Sequence, residues 1–429
     1  MSPAGEDLAA RLLDARDRSL ALVSGLDADQ LMGPRLEIVN PLRWELGHVA
    51  WFQERWAWRH LRGLPPLRSD GDALYDSAKV AHDTRWDLPL PTIDETRVFA
   101  RTILDRVLDR LAGHDPSPEE RYFHRLTLFH EDMHDEAFTY TRQTLGYSPP
   151  PIPLGPPPSV SSRADGDAEI PGGTFLLGAA PDLPFVFDNE KWAHEVRIEP
   201  FCMARAAVTN AEFAAFTEDD GYRRRDLWTE EGWAWRKKAG AEHPVYWRRA
   251  GGGWETRAFD AWKPLSPEHA VIHVCWHEAD AFCRWAGRRL PTEAEWEAAA
   301  AGEPDAGGSR LAARKRLYPW GNAPPAAALA TLDARHGGPV PVHAFADGDS
   351  AFGVRQMIGN VWEWTSTDFG PYPGFVADPY EEYSEPWFTG HKVLRGGCWT
   401  TRARLLRNTW RNFYTPDRRD VFAGFRTCV

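Results

Sequence analysis

Between Ser148 and Ser161 the chain reads Ser-Pro-Pro-Pro-Ile-Pro-Leu-Gly-Pro-Pro-Pro-Ser-Val-Ser, with seven prolines. Each proline fixes φ and removes a backbone donor, so this stretch can neither continue a helix nor fill the middle of a sheet. It predicts an extended, semi-rigid connector. A chain of 429 residues exceeds what one compact core usually holds. The expected organisation is therefore one domain over residues 1–147, the proline-rich linker over 148–164, and a second domain over 165–429.

The two sides of that tract are patterned differently. On the N-terminal side, Leu8, Leu12, Leu13, Leu20 and Leu22 form an apolar stripe that predicts a helix over 6–23. Asn40-Pro41 reads as an N-cap followed by proline at the first helical position, opening a helix with Trp44, His48, Trp51, Phe52 and Arg55 on one side. An irregular segment from Leu64 to Pro91 follows. Thr92-Ile-Asp-Glu95 and Ser117-Pro-Glu-Glu120 are capping boxes that open two further helices, the second running to about Leu145. Four such helices predict a four-helix bundle, a frame whose core often holds metal ligands from facing helices. From Ile170 onward, glycine and proline turns alternate with short apolar pieces. Residues 211–217, residues 277–286 and the segment after Thr292-Glu-Ala-Glu295 predict helices, while Gly172–Gly178 and Lys392–Gly397 predict strands. The fold class is α+β multidomain.

Charge and cysteine usage narrow the partners. A net charge of -12 with scattered basic residues argues against nucleic acid or an anionic membrane surface. No run approaches a membrane span, and the stretch Met1-Ser-Pro-Ala-Gly-Glu-Asp7 has neither a basic n-region nor an apolar h-region. Five cysteines, Cys202, Cys275, Cys283, Cys398 and Cys428, contain no CxxC pair and imply a reducing, cytoplasmic setting. The oligomeric state is not legible.

Within the helix opened by Ser117 lies Phe129-His-Glu-Asp-Met-His-Asp-Glu136. Helical spacing puts His130 and His134 one turn apart on one face, where two imidazoles can converge on one metal ion. The same residues spell H-E-x-x-H, the zinc-protease signature. The metzincin continuation needs glycine and histidine where Ala137 and Tyr140 stand, and a gluzincin needs a glutamate from a downstream helix that the proline tract forecloses. Glu131, Asp132, Asp135 and Glu136 are expected to form a solvated acidic face, with one carboxylate at most orienting an imidazole. His60 and His124 are read as ordinary surface or packing residues.

Seven blocks in the C-terminal part resemble, in order, the sulfatase-modifying-factor family with its C-type-lectin-like fold. They are Ala204–Phe213, Val274–Gly287, Arg289–Glu297, Tyr318-Pro-Trp-Gly-Asn322, Gly359-Asn-Val-Trp-Glu-Trp-Thr365, Leu394-Arg-Gly-Gly-Cys-Trp399 and Ala423-Gly-Phe-Arg426. The N-terminal half resembles a DinB-like four-helix bundle. Joined in this order, the halves resemble the EgtB/SenA family of hercynine-dependent non-haem iron enzymes. That resemblance implies an oxidoreductase that uses iron(II) and O2 to form a carbon-sulfur or carbon-selenium bond at imidazole C2 of hercynine. It implies a pocket where bundle and lectin-like domain meet, and small-molecule partners: hercynine, a selenosugar or thiol donor, and O2.

Carried over residue by residue, the family's iron ligands fall on His48, His130 and His134. A three-histidine face leaves octahedral positions open for substrate, donor and oxygen. The proton donor falls on Tyr372 in Phe369-Gly-Pro-Tyr-Pro-Gly374, with Tyr380 and Tyr383 as neighbours that could hold the role. The trimethylammonium site falls on Asn412 and Phe413. Members that use gamma-glutamylcysteine carry tryptophan and aspartate where this chain has Phe413 and Tyr414, and glutamine where it has Met133. Arg418 and Arg85 are the candidate partners of a donor carboxylate or sugar hydroxyl. The segment Trp410–Phe425 resembles SenA-type members more than gamma-glutamylcysteine-using ones, so a selenosugar donor is preferred, with cysteine or gamma-glutamylcysteine as the EgtB-type alternative. The copper chemistry of formylglycine-generating enzymes is excluded, because Thr401 and Leu406 stand where its two cysteines would be, and Cys398 is read as a small buried residue. A lectin-like binding protein with a merely structural metal is the alternative outside the enzymes.

Overall fold

The computed structural model describes residues 3–113 and 115–429, so Met1 and Ser2, part of the stretch read for a leader, lie outside the described residues. The chain divides into two compact units, Met1–Pro153 and Leu154–Val429, with the division inside the proline tract.

The first unit is helical: α1 (Pro3–Leu22), α2 (Ala28–Met32), α3 (Leu42–Gln53), α4 (Gly71–Tyr75), α5 (Ile93–Leu111) and α6 (Pro118–Leu145). The four long helices pack as a bundle, with α1 against α5 and α6, and α3 against the same two. Both expected capping boxes form, Thr92 with Glu95 and Ser117 with Glu120, and Gly146 closes α6 in the left-handed conformation at φ 67°. Asp27 and Gln30 form another that the sequence reading passed over. At α3 the cap is Pro41 rather than Asn40, a shift of one residue. The segment read as irregular contains α4, whose Tyr75 carbonyl meets His48, and a 3-10 turn at His82–Thr84 that leads into Arg85.

Two details of the expected stripes are corrected. On α1, Leu13 is 41% exposed, and the inward positions are Leu8, Leu12, Ala15, Arg16, Ser19 and Leu22. The buried face thus includes two polar residues that an apolar stripe does not reveal. Arg55 points to solvent, not with Trp44 and His48. After Gln53 the helix continues as a π-helical segment, Glu54–His60, whose wider turn rotates Arg55 off the stripe.

The second unit contains eleven short strands, β1 (Asp167–Ile170), β2 (Gly173–Leu177), β3 (His194–Ile198), β4 (Phe201–Ala204), β5 (Trp247–Ala250), β6 (Gly253–Ala258), β7 (Ala261–Pro264), β8 (Trp362–Asp368), β9 (Lys392–Arg395), β10 (Arg411–Tyr414) and β11 (Ala423–Gly424). Its helices are α7 (Asn210–Glu218), α8 (Glu230–Ala239), α9 (Trp276–Trp285) and α10 (Glu293–Ala301). The four-stranded sheet that carries Asn412 and Phe413 has the order β10-β9-β8-β11, antiparallel except for the β8–β11 pair.

Buried ion pairs tie that sheet to α10. Arg395 bonds Glu293 (2.7 Å) and Glu297 (2.6 Å), Arg411 bonds Glu293 (2.7 Å), and Arg426 bonds Glu363 (2.7 Å), which also accepts from Trp296 Nε1 (2.7 Å). Buried charges of this kind hold only when each is paired. Apart from Arg411, these residues belong to the seven sequence blocks quoted above, so the blocks record a shared scaffold more than a shared chemistry. Gly396 (φ 94°) and Gly397 (φ 75°) allow the turn after β9, where a Cβ would meet Met357 O at 2.5 Å or the Leu406 side chain at 2.7 Å.

Candidate metal centre

His48 sits on α3, and His130 and His134 on α6, one helical turn apart. The three imidazoles offer ligand nitrogens that all lie within 4.8 Å of one another. His48 and His130 are buried and His134 half-buried. Ring stacking holds two of them: His48 lies flat on Trp44 (4.9 Å, 9°), and His130 lies flat on Phe52 (3.5 Å, 3°).

Hydrogen bonds fix which nitrogen faces inward. His48 Nδ1 lies 2.8 Å from the carbonyl of Tyr75 on α4, so it donates and leaves Nε2 as the lone-pair atom. His134 Nδ1 lies 2.6 Å from Glu45 Oε1 on α3, with the same consequence. Gly47 makes the first of these contacts possible, since a Cβ there would meet the Tyr75 ring at 2.2 Å. Burial, reinforced by the neighbouring His134, pushes His48 and His130 well below the ordinary imidazole range. Neutral imidazoles with their Nε2 atoms unprotonated are what a divalent transition metal needs, so the residues fit such an ion.

That same shift predicts an acid lability. The unfolded chain binds protons at these imidazoles near pH 6.5, whereas the folded one does not until lower pH. The metal-free protein is therefore expected to lose stability progressively as the pH falls below about 6.5. Urea melts followed by circular dichroism between pH 5 and 8 check this, and a midpoint that does not fall with acidification would contradict it.

The acidic cluster is not a solvated face, which corrects the expectation above. Glu131, Asp132, Asp135 and Glu136 are all buried. Glu131 takes Arg16 from α1 on both oxygens (2.7 and 3.1 Å), and the Ser19 hydroxyl lies between Glu131 (2.9 Å) and Asp135 (2.8 Å), where its one proton serves either carboxylate. With its carboxylate committed to Arg16, Glu131 has no place as a protease general base. The carboxylate that orients an imidazole is Glu45, which the sequence reading missed. The signal was present, since Glu45 precedes His48 by three residues and so shares its helix face.

Arg85 is also near this site and feels the charge of Glu45. Its guanidinium lies over Trp44 at 3.9 Å and bonds neutral oxygens, Asn40 Oδ1 (2.6 Å) and Val80 O (3.3 Å), and burial lowers its pKa to about 10. Met133 is half-buried on α6 beside His134. His124 is buried within the bundle, and His60 is exposed against Trp56 and Phe123.

In the second unit, Tyr372 is buried with its hydroxyl lacking a hydrogen-bond partner, its ring under the Arg411 guanidinium (4.1 Å) and edge-on to His194 (4.7 Å). Burial holds its phenol well above the ordinary tyrosine pKa. Arg411 also covers Phe369 (4.8 Å), which stacks on Phe413 (4.1 Å, 14°), and Tyr383 meets Phe413 edge-on at 6.0 Å. The structure thus links Tyr372 and Phe413 through Arg411 and Phe369. Asn412 is half-buried on β10 and its Oδ1 accepts from Phe413 N (2.8 Å). Tyr380 lies beyond Tyr383, at 6.1 Å. Arg418 is not presented as an open fork, because it grips Asp420 bidentately (2.6 and 2.7 Å) beside Tyr414. Cys398 is buried, with Thr401 Oγ1 accepting from its backbone N–H at 2.9 Å, and all five cysteines are free.

Residues 156–429 match the sulfatase-modifying factor enzyme 1-like domain family, and residues 11–140 match the DinB superfamily. The fold is thus a DinB-like bundle joined to a C-type-lectin-like sulfatase-modifying-factor domain. The chain is 33% identical to the formylglycine-generating enzyme of Streptomyces coelicolor, over 63% of this chain and 91% of that one. It is 40% identical to the hercynine oxygenase of Mycolicibacterium thermoresistibile over 99% of this chain and 95% of that one, and 40% identical to that of Mycolicibacterium smegmatis over 99% and 98%. The chain belongs to the hercynine oxygenase (EgtB) family and is an oxidoreductase. Among the described residues, no helix is long and apolar enough to cross a membrane.

Proposed function

We propose that this protein is a cytoplasmic, iron(II)-dependent synthase that uses O2 to join a selenium or sulfur donor to imidazole C2 of hercynine. The observation that carries the reading is the three-imidazole cluster with two Nδ1 atoms already committed, so that the Nε2 atoms remain for metal. Family membership supplies the substrate class. The alternative of a binding protein with a structural metal is less well supported, because a site of three protein ligands leaves positions for exchangeable groups, whereas structural sites are closed.

At the selenoxide or sulfoxide level the reaction balances without another reductant. The C2–H bond and the Se–H or S–H bond break, and a carbon–chalcogen bond forms. Four electrons pass to O2, one oxygen going to the chalcogen and the other leaving as water. Held by His48, His130 and His134, iron(II) would supply the one-electron chemistry that O2 requires. The rest falls to side chains. Tyr372 is the proposed proton donor, because its buried hydroxyl has no partner within the protein and a tyrosine ring tolerates one-electron oxidation. Asn412 and Phe413 are the proposed contacts of the trimethylammonium group, an amide oxygen and an aromatic face in place of an ion pair.

For the donor we favour a selenosugar. Tyr414 offers no carboxylate for an amino group, and Asp420 already occupies Arg418. Arg85 and the half-buried Met133 would line the donor side. Arg85, whose hydrogen bonds go to neutral oxygens, would give a carboxylate its countercharge, and this is the observation that favours cysteine as the second reading.

Tyr372→Phe is expected to lower kcat by about 10²-fold or more while leaving KM for hercynine within about twofold. Full kcat in that variant would move the proton-donor role to Tyr380 or Tyr383. The donor is assigned by supplying selenosugar, cysteine and gamma-glutamylcysteine together in limiting hercynine and weighing the products. A dominant mass with the selenium isotope pattern supports the preferred reading, and a dominant cysteine adduct replaces it.

A further inference from the structure

Glu45 is 1% exposed, on α3, in the middle of a bundle built from aromatic and aliphatic side chains. A carboxylate in such surroundings loses its hydration and needs compensation. Glu131, its counterpart on α6, receives this in full from Arg16 and Ser19. Glu45 receives less: Oε1 accepts from His134 Nδ1 at 2.6 Å, Oε2 has no hydrogen-bond partner, and the Arg85 guanidinium acts on it only through space. As an element of the metal-free fold it is therefore poorly compensated. A cation held by His134 would add positive charge one imidazole away.

The three imidazoles are also unequal. His48 is oriented by a neutral backbone carbonyl, whereas His134 is oriented by a carboxylate. A charged acceptor at Nδ1 withdraws that proton more strongly and makes the opposite nitrogen a better donor. We infer that Glu45 is a positioning residue of the metal site, one that fixes the tautomer and ring orientation of His134 and strengthens that imidazole as a ligand. Because Glu45 and His48 lie three residues apart on one helix, α3 supplies one ligand directly and controls another across the bundle. This inference rests on the proposal that the three histidines hold a metal.

The test is metal affinity, measured without turnover. Apoprotein is titrated anaerobically with Fe(II), and in parallel with Co(II), whose visible absorption reports the ligand field. Glu45→Gln keeps an oxygen that can accept from Nδ1 but removes the charge, and it is expected to weaken Fe(II) binding by about 10–100-fold and to shift the Co(II) bands. Glu45→Asp keeps the charge and withdraws it, and an intermediate affinity is expected. Circular dichroism checks that each variant is folded. If Glu45→Gln does not fold, Glu45→Asp decides alone. Wild-type affinity and an unshifted Co(II) spectrum in a folded variant would overturn the inference while leaving the metal site intact. A wild-type protein that takes up no metal would remove the metal-site reading and this inference with it.

Discussion

Replacing His48 with alanine is expected to abolish stoichiometric iron binding and, with it, turnover. Losing an outer-shell partner of a metal ligand costs about 10–100-fold in affinity or activity, so losing a ligand itself has to cost more. His130 and His134 alone form a two-imidazole pair on one helix, and among the described residues the third imidazole of the cluster is brought by α3. Trp44, Phe52 and the Tyr75 carbonyl surround the His48 ring, so the truncation leaves a cavity lined by these groups and no substitute donor. Iron content after anaerobic loading and desalting, set beside coupled-product formation, measures both halves of the claim. A variant that retains one iron per chain and wild-type rates would sink the three-ligand assignment.

The second large effect concerns stability rather than chemistry. Glu131→Ala is expected to destabilise the bundle by about 3–5 kcal/mol, because it leaves the Arg16 guanidinium buried without its countercharge. Arg16 is 0% exposed and reaches Glu131, Gln53 and the Ala100 carbonyl, so it cannot escape to water. Removing both charges, as Arg16→Met with Glu131→Leu, is expected to recover most of the loss, since well-packed apolar groups replace a buried pair at little net cost. Chemical denaturation followed at 222 nm reads the helical unit. Equal stability in the single and double variants would contradict the account. Persistence of iron binding in the double variant would further separate Glu131 from any role as a general base.

Much of this was legible in the sequence, for identifiable reasons. His130 and His134 are one turn apart in a helix that begins with an unambiguous capping box, so their shared face follows from helical geometry. His48 fell on an aromatic stripe whose phase was read correctly as far as Gln53. What escaped was the polar interior. Arg16, Ser19 and Glu45 sit at inward positions that a hydrophobic pattern treats as gaps, and the four acids after His130 look alike in sequence whether a buried arginine or water faces them. That arginine comes from a helix more than a hundred residues away, and periodicity carries no information about it. In the second unit, α8 was missed because its only buried residue is Gly232, which leaves hardly any apolar face to detect. The β5–β7 meander escaped for a similar reason, being half-exposed over most of its length. Arg418 was read as available for substrate because its partner, Asp420, is two residues away in a loop where no regular spacing signals a contact.

On the proposed mechanism, His48, His130 and His134 hold one iron, and hercynine is coupled to a chalcogen donor at the expense of O2. Oxygen consumption by iron-loaded wild-type protein, recorded with product mass while hercynine and the donor are supplied singly and together, tests it most directly. The account predicts rapid uptake only when both are present, with one O2 consumed for each coupled product. Oxygen uptake independent of hercynine, or none with any donor, would contradict it.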